Sequence, residues 1–445
     1  MPGVVASRLA LTQLGHQPAG AAMSANKRVI WSWAFYDWAN SAFATVVMAG
    51  FFPIFFKQYW SAEVPAIEST YHLGIINSTA SLIVVLISPI LGAIADQMGR
   101  RKGFLLVFAC LGVVMTGALY WVEQGQWLLA SLLYIAGVIG FSGGNLFYDA
   151  LLSVVSPLRS IDRVSALGFG LGYLGGGLLF AVNVWMTLQP EFFGLNDASE
   201  AVRVAFLCTA LWWLLFSLPL LLFVDEPAAN KIGAIVAIKN SGKQLQHTLS
   251  QIRSLRHTFL FLLAYWLYID GVDTIIRMAV DYGLSIGLAS TDLITALLIT
   301  QFVGFPAAIA FGHLGERIGS KRGILLAIAV YICVTLFSSF IQAAWQFYLL
   351  AVIIGLVQGG VQSLSRSLYV RLIPAGQHAE FFGFYNMLGK FAAVLGPVLV
   401  GWITLLSGSN RIGILSIVIL FLAGGYLLVG VDVDAGQQAA NNDCE

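Results

Sequence analysis

Asp37 stands in a long apolar run, with Asn40 and Ser41 following on the same helical face. Asp270, Asp273 and Arg277 interrupt a second apolar run at spacings of three and four. Gln358, Gln362 and Arg366 recur every fourth residue in a third run, and Asn386 and Lys390 do so in a fourth. Asn145, Tyr148 and Asp149 form a further patch. An ionised side chain within an apolar span costs about 2.5–3.5 kcal/mol on insertion scales, so these groups should face a cavity or one another. The chemistry open to them is binding of a small polar solute and transfer of protons. No nucleophile–base pair and no Cys/His cluster accompanies them, so neither catalysis nor metal binding is expected.

Depth ranks these groups. Asp37 and Lys390 lie about eight and ten residues inside their runs, near a bilayer midplane at about 1.5 Å per residue. Lys390 needs a partner, either Asp37, Asp270, Asp273 or an anionic part of the solute. Asp273 and Arg277 can pair at i,i+4, although Arg277 is near a span end and can snorkel. Tyr36, Asp37, Asn40, Asp270, Asp273, Gln358, Gln362, Asn386 and Lys390 form the candidate binding set.

Apolar elements must position these side chains. Hydrophobic residues make up 58% of the 445 and charged residues only 10%, too few to cover a water-facing surface. Twelve runs are long enough to span a bilayer. They are expected at 29–53, 72–95, 104–122, 127–155, 164–187, 203–224, 258–281, 292–315, 324–342, 346–372, 380–405 and 411–431. Two six-span units (29–224 and 258–431) then flank a polar linker at 225–257, expected as a surface helix or loop. Short tails (1–28 and 432–445) complete the chain. The first 28 residues do not form a convincing signal peptide, and Met23 is a plausible alternative start.

Charge sets the orientation. Seventeen of the 23 Lys and Arg fall on the side of the termini and linker, and three fall on the other. Arg277, Arg366 and Lys390 lie inside spans. Positive loops stay cytoplasmic, so both termini and the linker are expected there. The net charge of +1 gives no reason to expect a nucleic-acid partner. The expected partners are the lipid bilayer, a small-molecule solute and protons, and the protein is expected to be a monomer.

Two short stretches, 220 residues apart, are copies of one another. Gly92, Asp96, Gly99, Arg101 and Lys102 align with Gly312, Glu316, Gly319, Lys321 and Arg322. Each stretch joins two apolar runs. A repeat at half the chain length marks transporters built from two units with a site between them.

Gly-x-x-x-Asp-x-x-Gly-Arg-Arg-Lys from Gly92 to Lys102 resembles the signature loop of the major facilitator superfamily. Narrower features resemble that superfamily's vacuole-effluxer-like branch, related to the autophagy-linked vacuolar amino-acid effluxer of fungi. They are the run Trp33-Ala34-Phe35-Tyr36-Asp37-Trp38-Ala39-Asn40-Ser41, Asp270-Gly271-Val272-Asp273-Thr274, Gln358 to Ser367, and Glu380-Phe381-Phe382-Gly383-Phe384-Tyr385. The resemblance implies an all-α membrane protein of twelve helices in two pseudo-symmetric six-helix bundles. It implies a secondary transporter, a permease working by alternating access on small polar solutes such as amino acids, with proton coupling open. It implies that spans one, four, seven and ten line the cavity. It also implies a gate of Gly92, Asp96, Gly99, Arg100, Arg101, Asp149, Glu316, Gly319, Lys321, Arg322 and Arg366. In that gate Asp149 pairs with Arg100, Asp96 faces the start of span eleven, and Arg366 lies toward the cytoplasm. The chain departs from the drug-antiporter pattern: span five has no Gly-Pro pair, and Gly396-Pro397 occurs in span eleven.

Other signals carry less. Gly170-Leu171-Gly172-Tyr173-Leu174-Gly175 matches a dinucleotide fingerprint but sits inside an apolar span. Gly168, Gly172 and Gly176 instead form a small-residue stripe for close helix packing. No Walker motif is present, so ATP does not drive the protein and no cofactor is expected. Two readings stay open beside the polar-solute transporter: a drug or lipid exporter, and a non-transporting membrane receptor or scaffold.

Overall fold

Each apolar run folds as a helix because a span in lipid must satisfy every backbone N–H and C=O internally. The computed structural model describes residues 19–226, 234–285 and 287–442. It has twelve helices long and apolar enough to cross a membrane. Spans one to six are Lys27–Trp60, His72–Met98, Arg101–Trp121, Trp127–Val155, Leu158–Leu188 and Ala198–Phe223. Spans seven to twelve are Arg256–Ile276, Thr291–Ile318, Ser320–Ser338, Ala344–Leu372, His378–Ser407 and Asn410–Val429. No strand occurs among the described residues. The expected spans match these helices closely. Span one is longer than expected: it widens into π turns from Phe43 to Phe51 and again from Phe56 to Trp60. Residues 1–18 of the N-terminal tail lie outside the described residues.

Aliphatic side chains such as Leu86, Val107 and Leu405 are exposed along the helices, as a lipid-facing surface requires. The linker contains an amphipathic helix, Ala234–Ser254, whose inner face includes buried Thr248 and Ile252. The C-terminal tail forms a short helix, Val433–Asn442. Asp432, just before that helix, donates its N–H to His257 Nδ1 at 3.1 Å.

The duplicated loops hold related places in the two halves. Gly99 ends span two at φ 58° and Gly319 ends span eight at φ 88°, backbone conformations that favour glycine. Gly92 lets span two touch the start of span eleven: a Cβ there would come within 2.9 Å of Glu380 Cα. Gly312 does the same for spans eight and five, where a Cβ would lie 3.2 Å from Arg163 Cα. Lys102 donates to the carbonyl of Val224 at the end of span six (2.6 Å). Lys321 donates to Val429 and Val431 at the end of span twelve (2.8 and 2.7 Å). Both halves therefore end in a lysine-capped helix, which suits the negative end of the helix dipole.

Candidate functional site

A cavity of about 190 Å³ lies between the two halves. Asp37, Asn145, Tyr148, Asp149 and Phe169 line it from spans one, four and five. Tyr265, Ile269, Asp273, Gln362, Arg366, Tyr385, Asn386, Gly389 and Lys390 line it from spans seven, ten and eleven. Its wall thus carries three carboxylates, two cations and four aromatic rings.

Arg366 is the best-defined group. Its guanidinium is 2% exposed and comes from the second half, yet its partners come from the first. Nη1 donates to Asp149 Oδ1 at 2.9 Å and lies 3.8 Å from Asp37 Oδ2. Nε and Nη2 donate to the hydroxyl and carbonyl of Ser165 at 2.9 and 2.8 Å. The Phe169 ring is 4.3 Å away, and Trp33 and Tyr148 lie at 5.0 and 5.3 Å, within cation–π range. An arginine this buried is tolerable only with a carboxylate partner and its N–H groups satisfied. Both conditions hold across the interface between halves.

Asp37 is held from three sides. Ser41 Oγ donates to Oδ1 at 2.9 Å, and Tyr148 donates to Oδ2 at 3.3 Å, where Arg366 also approaches. The glycine stripe of span five makes the room: a Cβ on Gly172 would lie 2.9 Å from Asp37 Oδ1. Tyr148 is fixed in turn by Trp33, which stacks on it at 4.3 Å and donates to its carbonyl at 3.0 Å.

The helical period explains which expected residues meet here. Asp37, Asp273, Gln362, Asn386 and Lys390 border the cavity together. Asp270 does not. It lies one residue, about 100°, beyond the cavity-lining stripe of Tyr265, Ile269 and Asp273. Its carboxylate instead accepts the backbone N–H of Gly396, at 2.9 and 3.1 Å, and the Thr274 hydroxyl at 3.4 Å. Gln358 is also off the wall. A spacing of four drifts about 40° per step, so two steps from Arg366 carry Gln358 to an apolar cleft beside Phe347 and Ile354. Tyr36 and Asn40 sit behind the lining: Tyr36 packs on Tyr148 at 5.2 Å, and Asn40 donates to Asn145 Oδ1. The Arg277 side chain lies outside the described residues, so its expected pairing with Asp273 is not described.

The gate residues need two corrections. Asp149 does not pair with Arg100, which is exposed. Asp149 lies six residues inside span four, about 9 Å from its end, too deep for the loop arginine. Arg366 lies at a similar depth in span ten and takes that partner, so it belongs to the cavity wall. Arg101 does the loop's work instead, through Nε to Asp96 Oδ1 at 2.7 Å and Nη2 to the Gly376 carbonyl at 3.1 Å. Asp96 does face span eleven, where Oδ2 accepts the Glu380 N–H at 2.9 Å. In the second copy, Glu316 pairs with Arg163. Arg322 is exposed and borders a polar cleft beside Gly319 and Lys321.

Contributors missed from the sequence include Tyr265 on the cavity wall, Ser165 and Phe169 around Arg366, Asp162 at the start of span five, and Thr248 on the linker helix. Asp162 accepts from Ser320 Oγ at 2.8 Å, from Arg371 Nη2 at 2.8 Å and from Ser367 Oγ. It sits in the polar stretch 156–163, which reads as a loop. No group of His, Cys, Asp and Glu able to hold a metal was found among the described residues.

Two six-helix halves, a charged cavity between them and a doubled loop motif define a secondary transporter of the major facilitator superfamily. Solved structures share this fold. The human organic anion transporter MFSD10 matches with a TM-score of 0.69, covering 93% of this chain and 100% of that one at 18% identity. The proton:xylose symporter XylE matches with a TM-score of 0.67, covering 92% and 95% at 14% identity. The family described as "Vacuole effluxer Atg22 like" matches residues 25–72 and 66–441. An uncharacterized MFS-type transporter of Bacillus subtilis, YxiO, is 40% identical over 92% of this chain and 96% of its own. Autophagy-related protein 22 of Coccidioides immitis is 25% identical over 97% of this chain and 91% of its own. The chain belongs to the vacuole effluxer Atg22-like family; it is an integral multi-pass membrane transporter and not an enzyme.

Proposed function

We propose that this transporter moves a zwitterionic amino acid or a close relative across a bacterial inner membrane, with proton coupling, as a monomer whose termini and linker are cytoplasmic. The observation that carries this reading is the cavity's mixed charge. Asp37, Asp149 and Asp273 face Arg366 and Lys390, so each end of a zwitterion meets an opposite charge. Three carboxylates against two cations leave one formal negative charge, which a proton or the solute's ammonium group can neutralise in this low-dielectric setting. The fungal relatives' role in autophagy is consistent with amino-acid release. Asp37, Asp273, Gln362, Asn386 and Lys390 are the proposed contacts, with Tyr36 and Asn40 supporting the wall.

The duplicated loops close one face by joining span two to span eleven and span eight to span five. In an alternating-access cycle that face opens when the halves rock apart. Arg366 also ties the halves at the cavity, so a solute or proton that weakens its hold on Asp37 and Asp149 favours rocking.

The test is thermal unfolding of the purified protein with amino acids, sugars, nucleosides and drugs, followed by flux in proteoliposomes with and without a pH gradient. Ligand at 100 times Kd stabilises the bound state by about 2.7 kcal/mol, a readable shift. Stabilisation by zwitterions and pH-driven flux is expected. Stabilisation by sugars or apolar drugs alone would overturn the reading. Topology is tested by reporter fusions at Lys239 and Asn196, which should report opposite sides.

A further inference from the structure

Glu380 opens a stretch that marks the sequence but has no place in the solute site, and its surroundings are unusual. Its carboxylate is 1% exposed, with no Lys, Arg or His within 4.0 Å among the described residues. Its partners are two side chains of the linker helix: Thr248 Oγ1 donates to Oε1, and Gln244 Nε2 donates to Oε2 at 3.1 Å. The backbone N–H of the same residue is held from the other direction by Asp96 of span two. Asp96 carries a like charge, and Arg101 neutralises it. One turn of span eleven is thus held between span two and the linker helix.

We propose that the linker helix is a working part of the motif-loop gate, and that Glu380, Thr248 and Gln244 are the positioning residues through which it holds span eleven closed against span two. A buried carboxylate that loses these donors is left uncompensated, so departure of the linker helix raises the cost of keeping Glu380 in this place. The linker joins the two halves in sequence and packs on span two as well as span eleven. When the halves rock apart, the helix cannot keep both contacts. The Glu380 hydrogen bonds are where the choice is made, because among the described residues the side-chain donors to this carboxylate come from the linker helix. At the equivalent junction of spans five and eight the buried carboxylate, Asp162, is held by Ser320 of span nine and by Ser367 and Arg371 of span ten, all groups of membrane spans.

The experiment uses the full chain with Cys110, Cys208, Cys333 and Cys444 replaced by serine, and spin labels on cysteines at exposed Leu158 and Arg317. Distance distributions then report opening of the motif-loop face in lipid. Thr248→Val, which keeps shape but removes the hydroxyl, is expected to raise the open fraction about tenfold, the scale of a hydrogen bond to a charged group. Thr248→Ser should restore the parent distribution, a rescue that a purely packing role would not produce. An unchanged distribution in Thr248→Val, or equal shifts in the Val and Ser variants, would overturn the proposal. If Thr248→Val does not fold, Thr248→Cys with Glu380→Cys in the same background replaces it. Crosslinking that pair should arrest flux and a reductant should restore it; full flux with the crosslink intact overturns the proposal. Solute binding, read by thermal shift in the same variants, is expected to persist, which keeps this test separate from that of the solute site.

Discussion

The two copies of the loop motif join helices of the two halves with different chemistry. In the first, Asp96 reaches a backbone N–H at the start of span eleven, and Arg101 braces it from behind. In the second, the longer Glu316 reaches a side chain, Arg163, which is 55% exposed. The buried carboxylate there comes from the receiving helix: Asp162 gathers Ser320, Ser367 and Arg371. The lysine role has also moved by one position in the repeat, from Lys102 to Lys321, while the helix ends they cap correspond. Duplication has preserved the helix junctions and not the atoms that join them. Burial, more than motif position, should therefore decide which residues matter most.

That difference orders the expected effects of substitution. Asp162→Asn should be the most damaging. It removes one partner of a buried ion pair, a loss of about 3–5 kcal/mol, and should lower the thermal midpoint as well as flux. A midpoint within error of the parent would mean that Arg371 and the two serines find other partners. Asp96→Asn should be milder. The amide oxygen still accepts from Glu380, but the negative charge that pairs with Arg101 is lost. Expression should be retained, the face bearing the loops should open more often, and transport should fall. Unchanged flux and an unchanged conformational balance would remove Asp96 from the gate. Glu316→Gln should do least, about 0–1 kcal/mol, because Arg163 is largely solvated. An effect as large as that of Asp162→Asn would show that motif position outranks burial after all.

Much of this was legible in the sequence. The twelve spans follow from hydropathy alone, and the halves follow from the 220-residue repeat. The cavity was legible where period and depth agreed, at Asp37, Asp273, Gln362, Asn386 and Lys390. It was misread where a polar residue lay near a cavity stripe in sequence but off it in rotation, as with Asp270 and Gln358. A polar residue within a span signals only that it has a partner. Whether the partner is a solute, a backbone N–H such as that of Gly396, or an arginine of the other half depends on the facing helix. Arg366 and Asp149, 217 positions apart, could not be joined by any local pattern. Ser165 and Thr248 carry no charge to draw attention, and each becomes important only through the buried charged group it satisfies.

The account's central claim is that Asp37 and Lys390 contact a shared solute in the cavity between the halves. Isothermal binding of the stabilising amino acid to the parent, Asp37→Asn and Lys390→Ala proteins tests it most directly, with thermal unfolding run alongside to confirm folding. The account predicts that both variants stay folded and lose binding by at least about tenfold, since each leaves one end of the zwitterion without its opposite charge. Parent-like affinity in both folded variants would contradict it.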